Sequence, residues 1–187
     1  MRVVGGRLRG RVLVAPSGSA IRPTADRLRE ALFNILTHGY GDPVSGARVL
    51  DLFAGTGAFG IEALSRGAAF ALFIDEAASA RALIRENVAS LGLGGVSKVF
   101  RRDATRLGPG YPMEPFTLAF LDPPYSRGLA ERALIAAKQG GWLAPAALIV
   151  VEEAAHAELL VPAEFEQLER RVYDDSALLF LRSAASP

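Results

Sequence analysis

Cysteine is absent from the 187-residue sequence, and histidine occurs only at His38 and His156. A chain without cysteine forms no disulfide and has no thiol that could act as a nucleophile or a metal ligand. The two histidines lie far apart along the chain and do not have the spacing of metal ligands. We therefore expect no metal site and no chemistry that depends on a thiol.

The sequence also lacks a long uninterrupted hydrophobic run. No stretch approaches the roughly 18 apolar residues of a membrane span. Arginines interrupt the N-terminal region, where a secretory signal would have its apolar core. Half of all residues are hydrophobic, which is sufficient for the core of one globular domain. The sequence predicts a soluble, cytoplasmic protein that makes no membrane contacts and acts as a monomer.

Acidic residues are missing from the first 25 positions, and lysine is scarce throughout the chain. The remainder is mildly acidic, since the net charge of the whole chain is only +1. A basic arm on an acidic body suggests contact with a polyanion, and a solvated arm without a partner is an equally good explanation. The arm has five arginines: Arg2, Arg7, Arg9, Arg11 and Arg22.

Residues 1–16 have the pattern of a β-hairpin that turns at Gly5-Gly6. We predict a hairpin arm at residues 1–23 and a larger α/β domain at residues 24–187. In the return strand, apolar residues would form one face: Leu8, Val12 and Val14. Three arginines would line the opposite face, where they could bind phosphates: Arg7, Arg9 and Arg11.

The stretch Arg48–Gly60, RVLDLFAGTGAFG, has the pattern of a buried strand, a turn of small residues and the start of a helix. Small residues at the turn allow the backbone to approach a ligand closely. Amide groups at the start of the helix would point into the same crevice. The pattern predicts a cofactor-binding turn at Ala54-Gly55-Thr56-Gly57, directly after Phe53.

Two cofactors are candidates for this turn. The glycine spacing satisfies the dinucleotide pattern, with Asp75 at the position of the ribose-binding acid. S-adenosylmethionine (SAM) also accounts for Asp51, because a carboxylate within an apolar strand is costly unless it is paired. The ammonium group of SAM would pair with it, whereas a turn without a ligand would leave Asp51 without a partner. The string D-x-F-A-G-T-G resembles the first motif of SAM-dependent methyltransferases.

Strands and helices alternate from residue 48 onward, which predicts an α/β fold with a parallel sheet and an antiparallel pair at the end of the chain. Carboxylates recur where strands end, and such ends line ligand crevices. We expect Asp75 to accept from ribose hydroxyls, and Asp103 with the Ala104 amide to bind adenine. A helix cap is the alternative role for Asp103. The four carboxylates are Asp51, Asp75, Asp103 and Asp122.

The tetrapeptide Asp122-Pro123-Pro124-Tyr125 follows a predicted strand. Two consecutive prolines offer no backbone donors, so nearby carbonyls can serve as acceptors. Asp122 and such a carbonyl could hold the exocyclic amine of a flipped nucleobase, on which Tyr125 would stack. The motif therefore predicts methyl transfer to a base amine by positioning and electrostatics. A rigid turn without a catalytic role is the alternative.

D-P-P-Y resembles motif IV of the amino-methyltransferases that act on adenine N6 or guanine N2. Together with RVVGGRLRGRVL, RPTADRLREALFN, DLFAGTGAFGIEALSRGA, DPPYSRGL and GWL, it resembles the bacterial 16S rRNA guanine-N2 methyltransferases of the RsmD type. The resemblance runs from Arg2 to Leu181. It implies a Rossmann-like SAM-dependent methyltransferase fold whose seven-stranded sheet is mostly parallel, with an antiparallel terminal hairpin. It also implies a guanine target in 16S rRNA, on the 30S subunit or its assembly intermediate.

The resemblance further places the start of the first helix beside the cofactor and the target base: Arg22, Pro23, Thr24 and Asp26. The predicted catalytic residues are Asp122, Pro123, Pro124 and Tyr125. The predicted cofactor-binding residues are Asp51, Phe53, Ala54, Gly55, Thr56, Gly57, Asp75, Asp103, Ala104 and Thr24. The predicted substrate-binding residues are Arg7, Arg9, Arg11, Arg22, Pro23, Asp26 and Tyr125.

Three other functions remain open at this stage. A DNA or RNA adenine-N6 methyltransferase would use the same tetrapeptide, although DNA enzymes usually need a target-recognition domain for which this chain has little room. An NAD-dependent oxidoreductase would use the glycine turn, but it leaves Asp51 and the D-P-P-Y motif unexplained. A non-catalytic RNA-binding protein would use the basic arm, and the intact D-P-P-Y motif argues against it.

Overall fold

A computed structural model of the protein describes residues 1–18, 23–125 and 127–185. In these ranges the chain forms four α-helices and seven strands, and none of the helices is long and apolar enough to cross a membrane. The helices are α1 (Pro23–Gly39), α2 (Ala58–Ser65), α3 (Ala78–Ser90) and α4 (Leu129–Gln139). The strands are β1 (Arg48–Leu52), β2 (Phe70–Ile74), β3 (Ser97–Phe100), β4 (Phe116–Leu121), β5 (Leu143–Ala154), β6 (Phe165–Tyr173) and β7 (Ser176–Ser183).

The strands described here form one sheet in the order β3-β2-β1-β4-β5-β7-β6. Strands β1 to β5 pair in parallel, and β7 lies antiparallel between β5 and β6. The chain order reverses at β1, whose neighbours are β2 and β4. A crevice forms at such a reversal, outside the carboxyl ends of the strands. The predicted α/β fold with its antiparallel terminal pair is confirmed.

Helices cover both faces of the sheet, because alternate side chains of each buried strand point to opposite sides. Helices α1, α2 and α3 pack on one face, against Val49, Phe73 and Phe120. Helix α4 packs on the other face, against Leu50 and Leu72 among others. Burial on both faces explains why β1, β2 and β4 appear in the sequence as short apolar runs.

Strand β5 extends beyond both ends of the apolar run at residues 147–151, since it begins at Leu143 and continues to Ala154. At its far end Glu152 pairs with Leu178 of β7, so hydrogen bonds to a neighbouring strand extend β5 beyond its apolar part. The sequence pattern stopped at Val151 because a glutamate is not typical of a buried strand. This extension is relevant to the site described below.

The N-terminal segment, residues 1–18, does not form the predicted hairpin face. One antiparallel bridge joins Arg2 to Val12 within this segment, and residues 5–10 make turns rather than an extended strand. The prediction of a shared apolar face was wrong, because these turns remove the alternation on which it depended. Val12 and Val14 are exposed, whereas three other apolar residues are buried in the core: Val3, Leu8 and Leu13. The division into an arm and a domain stays a prediction.

A buried carboxylate anchors the N-terminal segment to α2. Glu62 has no exposed surface, and its two oxygens accept hydrogen bonds from the amides of Val4 and Gly5 at 3.0 and 2.8 Å. The same oxygens accept from the guanidinium groups of Arg29 and Arg66 at 3.4 and 2.9 Å. Two cations and two backbone donors thus compensate the burial of one charge.

Candidate active site

The backbone between β1 and α2 makes the tight turn that the glycines predicted. Phe53, Gly55 and Gly57 all have left-handed φ angles, of 55°, 60° and 82°. This conformation is costly for a residue with a side chain, and a strained non-glycine residue is typical of functional sites. The turn is closed by the Gly57 amide, which donates to the Ala54 carbonyl at 2.8 Å.

Gly60 has a packing role rather than a conformational one. A Cβ atom at this position would lie 2.4 Å from the edge of the Phe73 ring and 3.2 Å from Oδ2 of Asp51. We expect Gly60→Ala to lower the free energy of unfolding by about 1–3 kcal/mol, because the ring cannot move aside in a packed core. Urea unfolding measures the change. Gly94→Ala is the matched control, since a Cβ there meets nothing within 4 Å; equal effects at both positions would contradict the prediction.

Asp51 is buried beneath this turn, with 1% of its surface exposed. Its Oδ2 accepts a hydrogen bond from the Gly60 amide at 3.0 Å. The protein itself therefore supplies one partner, which was not predicted from the sequence. Its Oδ1 has no hydrogen-bond partner in the described part of the chain. Burial raises the pKa of Asp51 to about 8, and the Gly60 hydrogen bond only partly opposes this shift. The carboxyl group therefore keeps one position open for a donor.

The raised pKa predicts how Asp51 affects stability. In the unfolded chain the group ionises near 3.8, whereas in the folded protein it stays protonated up to about pH 8. Stability is therefore lost as the pH rises through this window, by on the order of 1 kcal/mol per pH unit. Asp51→Asn should gain stability relative to the unsubstituted protein between about pH 5 and about pH 8. Urea unfolding across this range measures the difference, and a pH-independent difference would contradict the prediction.

Asp75 follows β2 and is tied to the glycine turn. Its Oδ2 accepts from the Gly55 amide and its Oδ1 from the Ala77 amide, both at 2.9 Å. The carboxylate thus fixes the turn relative to the end of β2, and it also lines the pocket described below. The sequence predicted a ligand contact for Asp75 but not this bond to the turn.

Asp103 has the capping geometry that was the alternative role. Its side chain accepts from the Thr105 amide at 2.9 Å and from the Thr105 hydroxyl at 2.7 Å, at the start of a short 3₁₀ helix. The hydroxyl bond is the main reason why the pKa of Asp103 is lowered. Asp103 and Ala104 also line the pocket, so the capping role does not remove them from its wall.

A pocket of about 550 Å³ lies at the carboxyl ends of β1, β2 and β4. Its volume is within the range of small-molecule and cofactor sites. Several predicted residues meet in its wall, together with three arginines and Glu76, which were not predicted from the sequence. The lining residues are Phe53, Ile74, Asp75, Glu76, Ala77, Arg102, Asp103, Ala104, Thr105, Arg106, Asp122, Pro124, Leu129 and Arg132.

Asp122 stands at the pocket wall directly after β4, which lies beside β1 in the sheet. The residue is exposed to solvent and lines the pocket. Desolvation by the surrounding protein raises the pKa of Asp122 well above its ordinary value, and the neighbouring acidic groups of Glu152, Asp51 and Glu153 add to the shift. Although the residue is exposed, its pKa is still raised, because each of the neighbouring acidic groups also raises it.

The hydroxyl group of Tyr125 is held by two residues of the terminal strands. It lies 3.2 Å from Oε1 of Glu152 and 3.1 Å from Oγ of Ser176. The ring remains accessible, with 43% of the residue exposed. Neither partner was predicted from the sequence. Glu152 could have been, because it is a carboxylate directly after an apolar run, as Asp75 and Asp122 are.

None of the predicted substrate-binding residues that the structure describes lines the pocket, although Tyr125 directly follows Pro124, which does. Asp26 pairs with Arg29 of its own helix at 3.0 Å. Arg11 donates to the Ser90 carbonyl at the end of α3 at 3.0 Å. Arg7, Arg9 and Arg11 are exposed on the N-terminal segment. Arg22 and the side chains of Pro23 and Thr24 lie outside the described residues.

The sequence is similar to proteins of known name along nearly its whole length. Residues 1–182 match the family described as "Conserved hypothetical protein 95". The chain belongs to this family. It is the RsmD family, so the resemblance predicted from the motifs is confirmed.

Individual members of the RsmD family support the assignment. Ribosomal RNA small subunit methyltransferase D of Escherichia coli strain K12 is 39% identical over 173 residues, which cover 92% of this chain and 84% of that protein. YlbH of Bacillus subtilis is 38% identical over 161 residues, covering 85% of each chain. The solved structure of E. coli yhhF superposes with a TM-score of 0.83 at 36% identity, covering 100% of this chain and 99% of that one.

Proposed function

We propose that the protein transfers the methyl group of SAM to the exocyclic N2 amine of a guanine in 16S rRNA. Membership of the RsmD family supports methyl transfer to small-subunit rRNA, because relatives carry that activity in their names. The observation that carries the proposal is the position of Asp122. A carboxylate and a proline turn share one pocket with the residues beside the glycine turn.

The residues present fit SAM as the methyl donor. Oδ1 of Asp51 is a buried acceptor with no partner in the described ranges, and an ammonium group would supply the missing donor. Asp75 lines the pocket and would hold the ribose, and Asp103 with Ala104 would hold the adenine ring. When bound, SAM supplies an electrophilic methyl group on a sulfonium centre.

Asp122 positions the reacting amine. Its carboxylate would accept one hydrogen bond from the amine, and a carbonyl of the proline turn would accept the other. Both prolines lack an N–H group, so no backbone donor of the turn competes with these acceptors. As the nitrogen gains positive charge, the ionised carboxylate stabilises that charge and then accepts the proton or passes it to solvent.

Tyr125 supplies the surface on which the base would stack. Its hydroxyl group donates to Glu152 and shares a hydrogen bond with the Ser176 hydroxyl group, and these two contacts limit the movement of the ring. A base lying on a fixed ring loses less freedom when the reaction geometry forms. We propose further that the protein acts as a cytoplasmic monomer on the 30S subunit or its assembly intermediate.

Incubation with methyl-labelled SAM and three substrates tests this function: 30S subunits that lack the modification, naked 16S rRNA and duplex DNA. Label in N2-methylguanosine after nuclease digestion is the expected result, and the better of the two RNA substrates shows whether ribosomal proteins are required. Label in N6-methyladenine would retain the chemistry but overturn the proposed base. No label, together with no binding of SAM by calorimetry, would overturn the function.

A further inference from the structure

Asn87 on α3 is a fully buried amide whose side chain bonds two separate parts of the chain. Its Oδ1 accepts from the Val14 amide at 2.7 Å, and its Nδ2 donates to the Val14 carbonyl at 3.1 Å. The same Nδ2 donates to the Thr56 carbonyl at 3.0 Å. None of the surface of Asn87 is exposed, so solvent cannot replace a lost partner.

The two bonded segments have different proposed roles. Thr56 is the central residue of the glycine turn, which we propose binds SAM. Val14 belongs to the N-terminal segment that presents Arg7, Arg9 and Arg11 to solvent. A second contact joins the same two segments, because the Thr56 hydroxyl lies 3.6 Å from the sulfur atom of Met1.

A displacement of either segment changes the bonding of the other through Asn87. If Val14 moved, the amide would lose two hydrogen bonds and would no longer be oriented toward the Thr56 carbonyl. A buried polar group left unsatisfied costs about 1–3 kcal/mol, which is enough to favour one arrangement of the turn. The turn contains one strained residue, Phe53, whose left-handed φ is costly for a residue with a side chain.

One of the three arginines is bonded directly to α3. Arg11 donates to the carbonyl of Ser90, one turn along α3 from Asn87. Binding of a polyanion to the segment would therefore change the forces on α3 and Val14 together. Such a change would reach the glycine turn through the Asn87 side chain, which bonds Thr56, and not through the residues that line the pocket.

We propose that Asn87 is a positioning residue that couples RNA binding by the N-terminal segment to SAM binding by the glycine turn. The inference rests on the proposed function, since it takes SAM and RNA as the two ligands. Coupling between sites is reciprocal, so each ligand strengthens the binding of the other by the same factor. Factors of about 5 to 150 are typical, and we expect a value of about fivefold or more.

S-adenosylhomocysteine and unmodified 16S rRNA are suitable probes, because no methyl transfer occurs between them. Calorimetry would measure the Kd of S-adenosylhomocysteine with and without saturating RNA. The unsubstituted protein should bind about five times more tightly when RNA is present. Asn87→Ala should bind both ligands with this factor reduced to about one.

Ser65→Ala is the matched control. The Ser65 hydroxyl accepts from the Leu8 amide and donates to the Gly5 carbonyl, so its loss loosens the same segment without removing the bond to Thr56. This variant should keep the coupling factor even if its RNA affinity falls. Equal loss of coupling in both variants would assign the effect to general loosening and overturn the role of Asn87.

Amide hydrogen exchange gives a second measurement that needs no variant. RNA alone should slow exchange at residues 55–58 of the unsubstituted protein, and unchanged exchange there would contradict the inference. Binding of both ligands without coupling would overturn the role of Asn87 and leave the proposed function intact. Failure of the unsubstituted protein to bind S-adenosylhomocysteine, or its failure to bind RNA both as naked 16S rRNA and as 30S subunits, would instead count against the proposed function.

Discussion

Asp122→Asn should reduce the rate of methyl transfer by about 10²–10³-fold while the Kd of SAM changes little. Asparagine has nearly the same volume as aspartate and keeps one acceptor oxygen. It has no negative charge to stabilise the amine as its nitrogen becomes positive, and it cannot take the proton. The loss should therefore fall on kcat rather than on substrate binding.

The effect should be large because of the surroundings of the Asp122 carboxyl group. Although the residue is exposed, the pocket wall partly encloses its carboxyl group, and a charge in such surroundings acts more strongly than one in water. The same enclosure raises the pKa of Asp122, so the reactive ionised form becomes populated only as the pH rises. The rate should accordingly rise with pH beyond the range in which an ordinary aspartate titrates, and Asp122→Asn should lose this dependence.

Single-turnover assays with unmodified 30S subunits, combined with calorimetry for SAM, would measure both quantities. Asp42→Asn is the control, since Asp42 is an exposed residue in the loop between α1 and β1. Asparagine also tolerates the left-handed φ of 54° at that position. A parallel loss of rate and SAM affinity in Asp122→Asn would reassign the residue to cofactor binding.

The sheet could be predicted from the sequence because its signals are local. The parallel strands β1, β2 and β4 are buried on both faces and therefore appear as short apolar runs that end at a turn. The glycine turn and the D-P-P-Y motif are each a short continuous stretch of sequence. The residues within each motif therefore lie together in any fold that forms the preceding strand. Carboxylates at the ends of parallel strands were expected to line one crevice, and Asp75, Asp103 and Asp122 do line the same pocket.

The features that the sequence did not predict depend on contacts between distant residues. Glu152 was missed because its strand continues past the apolar run only through pairing with β7. The N-terminal segment was wrongly predicted because its turns depend on packing against α2, more than 50 positions away, where the Leu8 amide bonds Ser65. Asp51 was given no partner because the Gly60 amide reaches it only after α2 has formed.

Glu62→Gln is expected to lower the free energy of unfolding by about 3–5 kcal/mol. Glutamine preserves the shape of the side chain but removes its charge, so Arg66 loses its carboxylate partner and Arg29 keeps only Asp26. Arg29 is 3% exposed, so its charge cannot recover hydration in the folded protein. Asp26 compensates part of this charge, because it lies 3.0 Å from Arg29.

Thermal and urea unfolding would measure the change, with an expected fall in Tm of about 6–20 °C for a domain of this size. Glu86→Gln on the exposed side of α3 should change the stability by less than about 0.5 kcal/mol. Added salt provides a further check. The deficit of Glu62→Gln should persist from about 0.1 M to about 1 M NaCl, because buried pairs are screened much less than exposed ones.

The same variant tests whether residues 1–23 are an independent arm. Glu62 is bonded to Val4 and Gly5 on one side and belongs to α2 on the other, so it joins the segment to the body of the protein. Val3 is also buried in the core on the α2 face of the sheet. If the segment unfolds together with the body, Glu62→Gln should shift one cooperative transition. A separate early transition, with the main one unchanged, would show that the arm folds independently and that Glu62 stabilises only its attachment.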